Sequence, residues 1–258
     1  MVSEVRLGET ALHQLIAIAR AAGAAVMAHY GREGHVQLKA DTSPVTVADH
    51  AAHHVIVNAL TANWPQIPVI SEEGEIPPFE TRAHWRRFWL VDPLDGTKEF
   101  IHQNGEFTVN IALIEDGIPV LGVVFAPALD VLYAAGLELG SWKYAGDTPP
   151  VRLHGPQAPD ATGVTIVESR SHPSAALEAY LATLTVAARV PAGSSLKFGL
   201  VAEGRAHLYP RLGPTMEWDV AAGDCIYRYA IADGVRPSPL AYNSPSLKNP
   251  SFVLGVTS

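Results

Sequence analysis

Apolar residues recur along this chain at two spacings, and each spacing predicts a different kind of element. Over residues 12–27 they recur with helical period, at Leu12, Leu15 and Ile16 among others, so we predict an amphipathic packing helix that ends near Gly31. A second helix is predicted over residues 47–60. Short apolar runs predict strands at residues 35–38, near 69, and at 88–91, 107–114, 119–125 and 131–135.

The later part of the chain continues this alternation. Asp116 and Gly117 separate two of the predicted strands and indicate a hairpin. Residues 146–159 are rich in proline and glycine and predict a linker to a second half, which alternates strand and helix through Tyr229. We therefore predict a layered α/β fold in one domain, residues 1–258, with an N-terminal lobe of about residues 1–150 and a C-terminal lobe of about residues 151–258.

The main chemical signal is a pair of carboxylates at the exit of a predicted strand. Asp92 and Asp95 bracket Pro93, and Gly96 follows, so one tight turn can hold both acids. Carboxylates and an exposed peptide carbonyl, here that of Leu94, suit a hard cation such as Mg²⁺. An ordinary surface turn is the alternative, because Asp, Pro and Gly are common turn residues.

Three more acids are placed to join this pair. Glu72 follows a short apolar strand, so it could stand beside Asp92 at the same edge of a sheet. Asp219 lies in the first turn of a predicted helix, where the helix dipole favours a carboxylate and proximity to the core requires a partner. Asp49 comes three residues after Thr46 and also fits a plain capping role at the start of the second helix.

Composition limits the classes of partner. The chain has 258 residues, 48% of them hydrophobic, and a formal net charge of −8 without a run of basic residues, which argues against a nucleic-acid polymer as partner. The single cysteine, Cys225, excludes an intrachain disulfide, fits a reducing compartment and is predicted to be a packed thiol. No segment has the pattern of an integral membrane span, so we expect a cytoplasmic protein; its oligomeric state is not predicted.

Eleven histidines raise the question of a transition-metal site. His50 and His54 lie one turn apart on the second predicted helix, beside His53, and this is a spacing that zinc ligands use. The pattern His-Glu-x-x-His is absent and no cysteine lies nearby in the sequence. We therefore expect surface or partly buried histidines.

Several segments together match a known pattern, namely residues 39–49 (KADTSPVTVAD), 71–73 (SEE), 89–100 (WLVDPLDGTKEF) and 218–223 (WDVAAG). In order and spacing they resemble the lithium-sensitive, magnesium-dependent phosphatases of the inositol monophosphatase superfamily. Residues 97–100, 105–112 and 193–198 further resemble the 3'(2'),5'-bisphosphate nucleotidases of the CysQ type. The resemblance covers nearly the whole chain and implies an αβαβα sandwich with the site where the two lobes meet.

The resemblance implies a site for two Mg²⁺ ions. One ion would be held by Glu72, Asp92 and the carbonyl of Leu94. The other would be held by Asp92, Asp95 and Asp219, with Asp92 bridging. Two such ions can bind a phosphate together with the attacking and leaving oxygens of an in-line displacement.

The resemblance also implies which groups act on the substrate. The Thr97 hydroxyl and Asp49 would orient and deprotonate the attacking water, and Glu72 would belong to the catalytic set. Backbone amides of Gly96 and Thr97 would cradle phosphate oxygens. The implied substrate contacts in this part of the site are Glu72, Leu94, Asp95, Gly96, Thr97 and Asp219.

A second group of residues is expected, by the same resemblance, to contact the nucleotide and its second phosphate. These residues are His172, Ser194, Lys197 and Arg211. A helix N-terminus and a lysine both favour a phosphate. Plainer roles stay open, because Ser194 could be an ordinary N-cap and Arg211 a solvated strand end.

Three functions are consistent with these features. The preferred one is removal of the 3'-phosphate of adenosine 3',5'-bisphosphate, a small-molecule nucleotide, which in sulfate-assimilating cells clears a by-product of sulfate transfer. The nearest alternative is the same chemistry on inositol monophosphate or another sugar phosphate. The third is a non-catalytic regulatory protein, which could lose metal ligands that are all present here.

The resemblance also implies peripheral attachment to the cytoplasmic face of the inner membrane, although no lipid-binding stripe supports it. Residues 232–242 match the relatives less regularly, which bears on nucleotide preference.

Overall fold

Helices and strands alternate along the chain in the computed structural model, which describes residues 7–32, 37–38, 44–170 and 174–256. The helices in these ranges are α1 Glu9–Met27, α2 Val47–Asn63, α3 Phe79–Arg82, α4 Thr97–Ile101, α5 Ala175–Leu181, α6 Leu196–Ala202 and α7 Glu217–Tyr229. The strands are β1 Gln37–Leu38, β2 Pro44–Val45, β3 Val69–Ser71, β4 Arg87–Asp95, β5 Thr108–Glu115, β6 Ile118–Ala126, β7 Val131–Gly136, β8 Gly140–Ala145, β9 Val151–Leu153, β10 Val164–Ser169, β11 Val186–Ala192, β12 Leu208–Arg211, β13 Thr215–Met216, β14 Lys248–Asn249 and β15 Phe252–Gly255.

The larger sheet contains β3 to β9 in sequence order. β3 runs parallel to β4, and each later strand pairs antiparallel with the one before it. The hairpin between β5 and β6 turns at Asp116 and Gly117, which both have positive φ, at 48° and 76°. Such angles fit the twist of a two-residue hairpin loop. This confirms the predicted hairpin.

Helices cover both faces of the larger sheet. Because side chains alternate along a strand, Trp89 and Val91 point to the face covered by α1 and α2, while Phe88 and Leu90 point to the face covered by α6 and α7. By length and composition α1 could cross a membrane, yet its apolar residues are buried against α2 and the sheet. The prediction of a packing helix is therefore confirmed.

A second sheet, in the order β11-β10-β12-β15, lies beyond α6 and α7. β10 runs parallel to β11 and to β12, and β15 pairs antiparallel with β12. Its inner face packs on α6 and α7, and its outer face is covered by α5 through a cluster that includes Ile166, Leu177 and Leu208. The layers therefore follow the order αβαβα, as the resemblance implied.

Two segments differ from the sequence-based expectation. β4 does not stop at Val91 but continues to Asp95, with an irregularity in its pairing with β5 between Asp92 and Asp95. Pro93 lacks an N–H donor, and an irregular step lets the strand continue past it. In addition, the segment predicted as a linker contains β9, which adds the last strand to the larger sheet. The division into two lobes stays a prediction.

Candidate active site

Carboxylates from three parts of the chain converge beside the end of β3. Ser71 of β3 is in register with Val91 of β4, and the Glu72 N–H donates to the Val91 carbonyl at 3.1 Å, so Glu72, just after β3, lies beside Asp92 of β4. Asp219 reaches them from the first turn of α7. One oxygen from each of these acids lies within 4.8 Å of the others. The predicted placement of Glu72 beside Asp92 is therefore confirmed.

Asp92 is the most deeply buried of these acids, with 2% of its surface exposed. Burial raises its pKa well above the ordinary value, and the charges of Glu72, Asp95, Asp219 and Asp49 raise it further. One carboxylate oxygen accepts the N–H of Leu94 at 3.1 Å. A buried acid among other acids requires a proton or a cation, and an all-oxygen donor set suits a hard divalent ion. These residues therefore fit a metal ion.

Asp219 is held by local hydrogen bonds at the start of α7. Its Oδ2 accepts from the Thr215 hydroxyl at 2.7 Å and from the Met216 N–H at 3.0 Å. Burial raises its pKa to about 7, and the nearby Asp95 acts in the same direction. Both bonds use the same oxygen, so the other oxygen can turn toward the acids of the sheet.

Asp95 lies beside this group but is not one of its three converging acids. Its Oδ2 accepts a hydrogen bond from the Ser194 hydroxyl at 2.6 Å, and the Ser195 hydroxyl and the Asn110 amide lie 3.2 and 3.5 Å from the same oxygen. These donors leave Oδ1 for another ligand. The assignment of Asp95 to a metal ion stays a prediction.

The turn after β4 brings Thr97 close to Asp49. Gly96 has a φ of +87°, a left-handed conformation that glycine adopts without strain, and α4 starts at the next residue. The Thr97 hydroxyl lies 3.4 Å from Asp49 Oδ1 and 3.4 Å from the Leu94 carbonyl. With a single proton, it can donate to only one of these acceptors at a time.

Asp49 also caps α2, as the sequence suggested. Its Oδ2 accepts from the Thr46 N–H at 2.7 Å and from the Thr46 hydroxyl at 2.6 Å. In turn, the Ala48 N–H donates to the Thr46 hydroxyl at 3.1 Å. Because the cap uses Oδ2 and the contact with Thr97 uses Oδ1, the capping role and a role in the site are compatible.

A cavity of about 290 Å³ opens beside these groups. Its lining residues are Glu72, Asp95, Gly96, Thr97, Lys98, Glu99, Ser169, Ser194, Ser195, Lys197, Phe198, Tyr209, Arg211, Thr215, Asp219 and Val220. A second cavity of about 250 Å³ shares Ser169, Tyr209 and Arg211 with the first. It continues along the more apolar Leu177 and Leu212. Together the two cavities offer a charged end and an apolar end.

Lys197 is a buried cation in the wall of the first cavity. It is 6% exposed, its ammonium lies 5.6 Å from the centre of the Tyr209 ring, and it donates to the carbonyls of Ala192, at 3.4 Å, and Ser194. Burial lowers its pKa to about 8, although the charge of Asp95 acts in the opposite direction. Two of its three N–H donors go to carbonyls, which leaves one for a ligand.

The other residues expected around a second phosphate differ in their surroundings. Ser194 has a φ of +49° and donates to Asp95, and the residue at the N-cap of α6 is Ser195, so the alternative of an N-cap role for Ser194 is wrong. Arg211 is half-buried at the end of β12, where Nη2 donates to the Pro214 carbonyl at 3.4 Å. Its Nε is buried without a hydrogen-bond partner among the described residues. His172 lies outside the described residues.

Sequence reasoning missed three polar residues behind Asp95. Thr108 and Asn110 lie on β5 and Ser195 precedes α6, and all are buried. The Thr108 hydroxyl donates to Asn110 Oδ1 at 2.8 Å and lies 2.5 Å from the Ser194 hydroxyl. A usable signal was present, because Thr108 and Asn110 are two residues apart and place polar groups on one face of an otherwise apolar strand.

His50, His53, His54 and Cys225 have the surroundings expected from the sequence. His50 and His54 are exposed, and Nδ1 of the half-buried His53 lies 2.8 Å from the Ser71 hydroxyl. Among the described residues, the group of side chains that could hold a metal contains acids and no histidine. Cys225 is buried with a free thiol, and burial raises its pKa well above the ordinary value, as expected for a packed thiol.

Comparison with known proteins places these features in context. Residues 9–230 match the family model described as the inositol monophosphatase family. The chain is 49% identical over 254 residues to the 3'(2'),5'-bisphosphate nucleotidase CysQ of Escherichia coli strain K12, covering 95% of this chain and 99% of that protein.

Solved structures show the same fold. The crystal structure of CysQ from Bacteroides thetaiotaomicron superposes with a TM-score of 0.80 at 39% identity, covering 96% of this chain and 97% of that one. An inositol monophosphatase from Anabaena superposes with a TM-score of 0.68 at 26% identity, covering 86% of this chain and 81% of that one. Similarity is therefore greater to the nucleotidases than to this inositol phosphatase.

Proposed function

The chain belongs to the inositol monophosphatase family, and we propose that within it this protein is a 3'(2'),5'-bisphosphate nucleotidase that hydrolyses the 3'-phosphate of adenosine 3',5'-bisphosphate to give adenosine 5'-phosphate and phosphate. The observation that carries the proposal is 49% identity to a nucleotidase over nearly the whole chain. The convergence of Glu72, Asp92 and Asp219 adds to it, because members of this family use metal ions. A non-catalytic role would leave the buried Asp92 and the two acids beside it without a use.

We assign the metal as Mg²⁺, because the converging donors are oxygen atoms and Mg²⁺ prefers oxygen ligands. Glu72, Asp92 and the Leu94 carbonyl would hold one ion, and Asp92, Asp95 and Asp219 a second. When bound, such ions would polarise the phosphate and lower the pKa of the attacking water. The carboxylates of the site would repel an anionic substrate, so a bound cation would also reverse the local charge.

The other groups of this part of the site have roles that their positions support. The Thr97 hydroxyl, 3.4 Å from Asp49 Oδ1, would orient the attacking water while Asp49 accepts its proton. The backbone amides of Gly96 and Thr97 would donate to phosphate oxygens. A side chain on Gly96 would approach Glu99 and Ser194 to within 3.2 and 3.3 Å, so glycine keeps this approach open.

The second phosphate and the base would occupy the rest of the two cavities. Lys197 and Arg211 supply positive charge and Ser194 a hydroxyl, and His172 joins them as an expectation from the resemblance. The base would enter the apolar cavity along Leu177 and Leu212. Residues 232–242 do not line either cavity in the described part of the chain, so their irregular match to relatives has no direct bearing on the base.

Phosphate release is the direct test of the proposed function. We expect the purified protein with Mg²⁺ to hydrolyse adenosine 3',5'-bisphosphate with a much higher kcat/KM than inositol 1-phosphate, assayed side by side at matched concentrations. The second phosphate supplies charge-assisted hydrogen bonds that the inositol ester lacks, and each is worth about tenfold in binding or more. Preference for the inositol ester would keep the metal site and refute the nucleotidase assignment.

The rival substrate class is not favoured by the cavity. An inositol ring carries hydroxyls and no second phosphate, whereas this cavity presents the buried Lys197 and the half-buried Arg211. A neutral polyol would offer no partner for the charges of Lys197 and Arg211, which is why we place the nucleotide first.

The free, buried thiol of Cys225 supports a reducing, cytoplasmic location.

Lys197 predicts a pH dependence. Its pKa is lowered to about 8, and only the protonated form attracts a phosphate, so kcat/KM for the bisphosphate should fall by about tenfold as the pH rises through this value. Lys197→Arg stays charged throughout this range, and its profile should lose that fall. The measurement is kcat/KM from pH 6.5 to 9.5 for both proteins. An unchanged fall in the arginine variant would assign it to another group.

A further inference from the structure

A chain of buried hydrogen bonds lies behind the acids and connects the strands to α7. The Ser195 hydroxyl lies 2.5 Å from the backbone carbonyl of Asp219 and 3.2 Å from Asp95 Oδ2. It also accepts from the Asn110 amide at 3.0 Å. Ser195 and Asn110 are 2% and 1% exposed, so water does not compete for these bonds. A single hydroxyl therefore contacts the carboxylate of Asp95 on β4 and the backbone carbonyl of Asp219 on α7.

The number of protons fixes how this hydroxyl is used. Ser195 has one proton, and its shorter contact, with the Asp219 carbonyl, is the favoured acceptor. The Asn110 amide donates into the same oxygen, which orients the hydroxyl toward α7. Asp95 Oδ2 meanwhile keeps the Ser194 hydroxyl as its close donor, at 2.6 Å. Ser195 thus links the backbone of α7 to Asn110, whose amide also lies 3.5 Å from Asp95 Oδ2.

We propose that Ser195 is a positioning residue that fixes the spacing between Asp95 and Asp219 so that both can bind one cation. The two carboxylates repel each other, and each raises the cost of ionising its neighbours. A link through the backbone of α7 opposes that repulsion without using the oxygens that face the cation. Partners of metal ligands typically contribute about tenfold to a hundredfold in metal affinity. This inference rests on the proposed metal-dependent function.

Its test uses Mn²⁺ binding without substrate, followed by the loss of the free-ion EPR signal. Ser195→Ala should bind one Mn²⁺ about tenfold more weakly than the wild type. Its phosphatase activity should recover at high Mg²⁺ concentration. Ser195→Thr keeps the hydroxyl and should restore most of the affinity. Ser141→Ala is the matched control, because Ser141 is fully buried and its hydroxyl has no hydrogen-bond partner among the described residues.

The Mn²⁺ affinities of the variants either support or overturn the role of Ser195. Weaker Mn²⁺ binding in Ser195→Ala, with Ser141→Ala unchanged and similar unfolding temperatures for all variants, supports the proposal. Unchanged Mn²⁺ binding in Ser195→Ala overturns it, even if activity falls. Mn²⁺ binding needs no turnover, so it separates this inference from the choice of substrate: a wild type that binds Mn²⁺ but releases no phosphate from the nucleotide would refute the proposed function alone.

Discussion

Asp92→Asn should abolish phosphatase activity while making the metal-free protein more stable. Asp92 is expected to bridge two ions, and loss of its charge should lower kcat/KM on the order of a thousandfold, equivalent to about 4 kcal/mol. In the metal-free protein its buried charge is surrounded by other acids, so the neutral amide should stabilise the fold. The measurements are phosphate release with Mg²⁺ and thermal unfolding in a chelator.

The contribution of Asp92 to the stability of the metal-free protein should depend on pH. The pKa of Asp92 is raised in the folded protein, so the free energy of unfolding of the metal-free wild type should fall as the pH rises from acid toward neutral. The asparagine variant should lose this part of the dependence, so the difference between the two proteins should grow as the pH rises. Each kcal/mol corresponds to about 2–4 °C in Tm for a chain of this size.

An acid outside the site serves as the control for this variant. Asp116 is exposed in the hairpin turn and pairs with Arg86 through two bonds of 2.8 Å. Asp116→Asn should change activity little and stability by less than about 0.5 kcal/mol. Near-normal activity of Asp92→Asn would contradict the assignment of Asp92 as a bridging ligand. A metal-free variant less stable than the wild type would contradict the predicted cost of the buried charge.

Sequence patterns predicted those elements whose contacts are made between residues close together in the chain. The hairpin of β5 and β6 was predicted because Asp116 and Gly117 favour the turn and apolar runs flank it on both sides. β9 was missed because Val151–Leu153 is short and lies among prolines, and its strand character comes from pairing with β8. β15 is a short apolar run, but its partner β12 lies about forty residues earlier, so its place in the sheet could not be predicted from local sequence.

The same distinction separates the predicted and missed parts of the candidate site. Glu72 and Asp92 each follow an apolar run, so an acid at a strand end was visible in the sequence. Ser195 and Asn110 are ordinary polar residues until the fold brings β5 and α6 together behind Asp95. Serine and asparagine have many roles, and only their partners distinguish these roles. The network therefore required the tertiary structure.

Thr97→Ala should lower kcat by about a hundredfold to a thousandfold while leaving Mn²⁺ affinity close to that of the wild type. The side-chain oxygen of Thr97 is not among the expected metal ligands, and its contacts are Asp49 Oδ1 and the Leu94 carbonyl, each at 3.4 Å. Removal of a group that orients the attacking water slows the chemical step by about this amount. Thr97→Ser keeps the hydroxyl and should retain most activity. Equal losses in both variants would show that the methyl group, and thus packing, is responsible.

Asp49→Asn should reduce kcat by a similar factor, and the double variant Asp49→Asn/Thr97→Ala should be little worse than either single variant, because the two groups act on the same water. The asparagine also weakens the cap of α2, so loss of the cap must be separated from loss of the base. Thr46→Ala removes the capping hydroxyl, at a cost of about 1 kcal/mol, but keeps Asp49 Oδ1 beside Thr97. Thr46→Ala should therefore lower the unfolding temperature and leave kcat nearly unchanged. If it slows turnover as much as Asp49→Asn does, then the position of α2, rather than the carboxylate of Asp49, controls the chemical step.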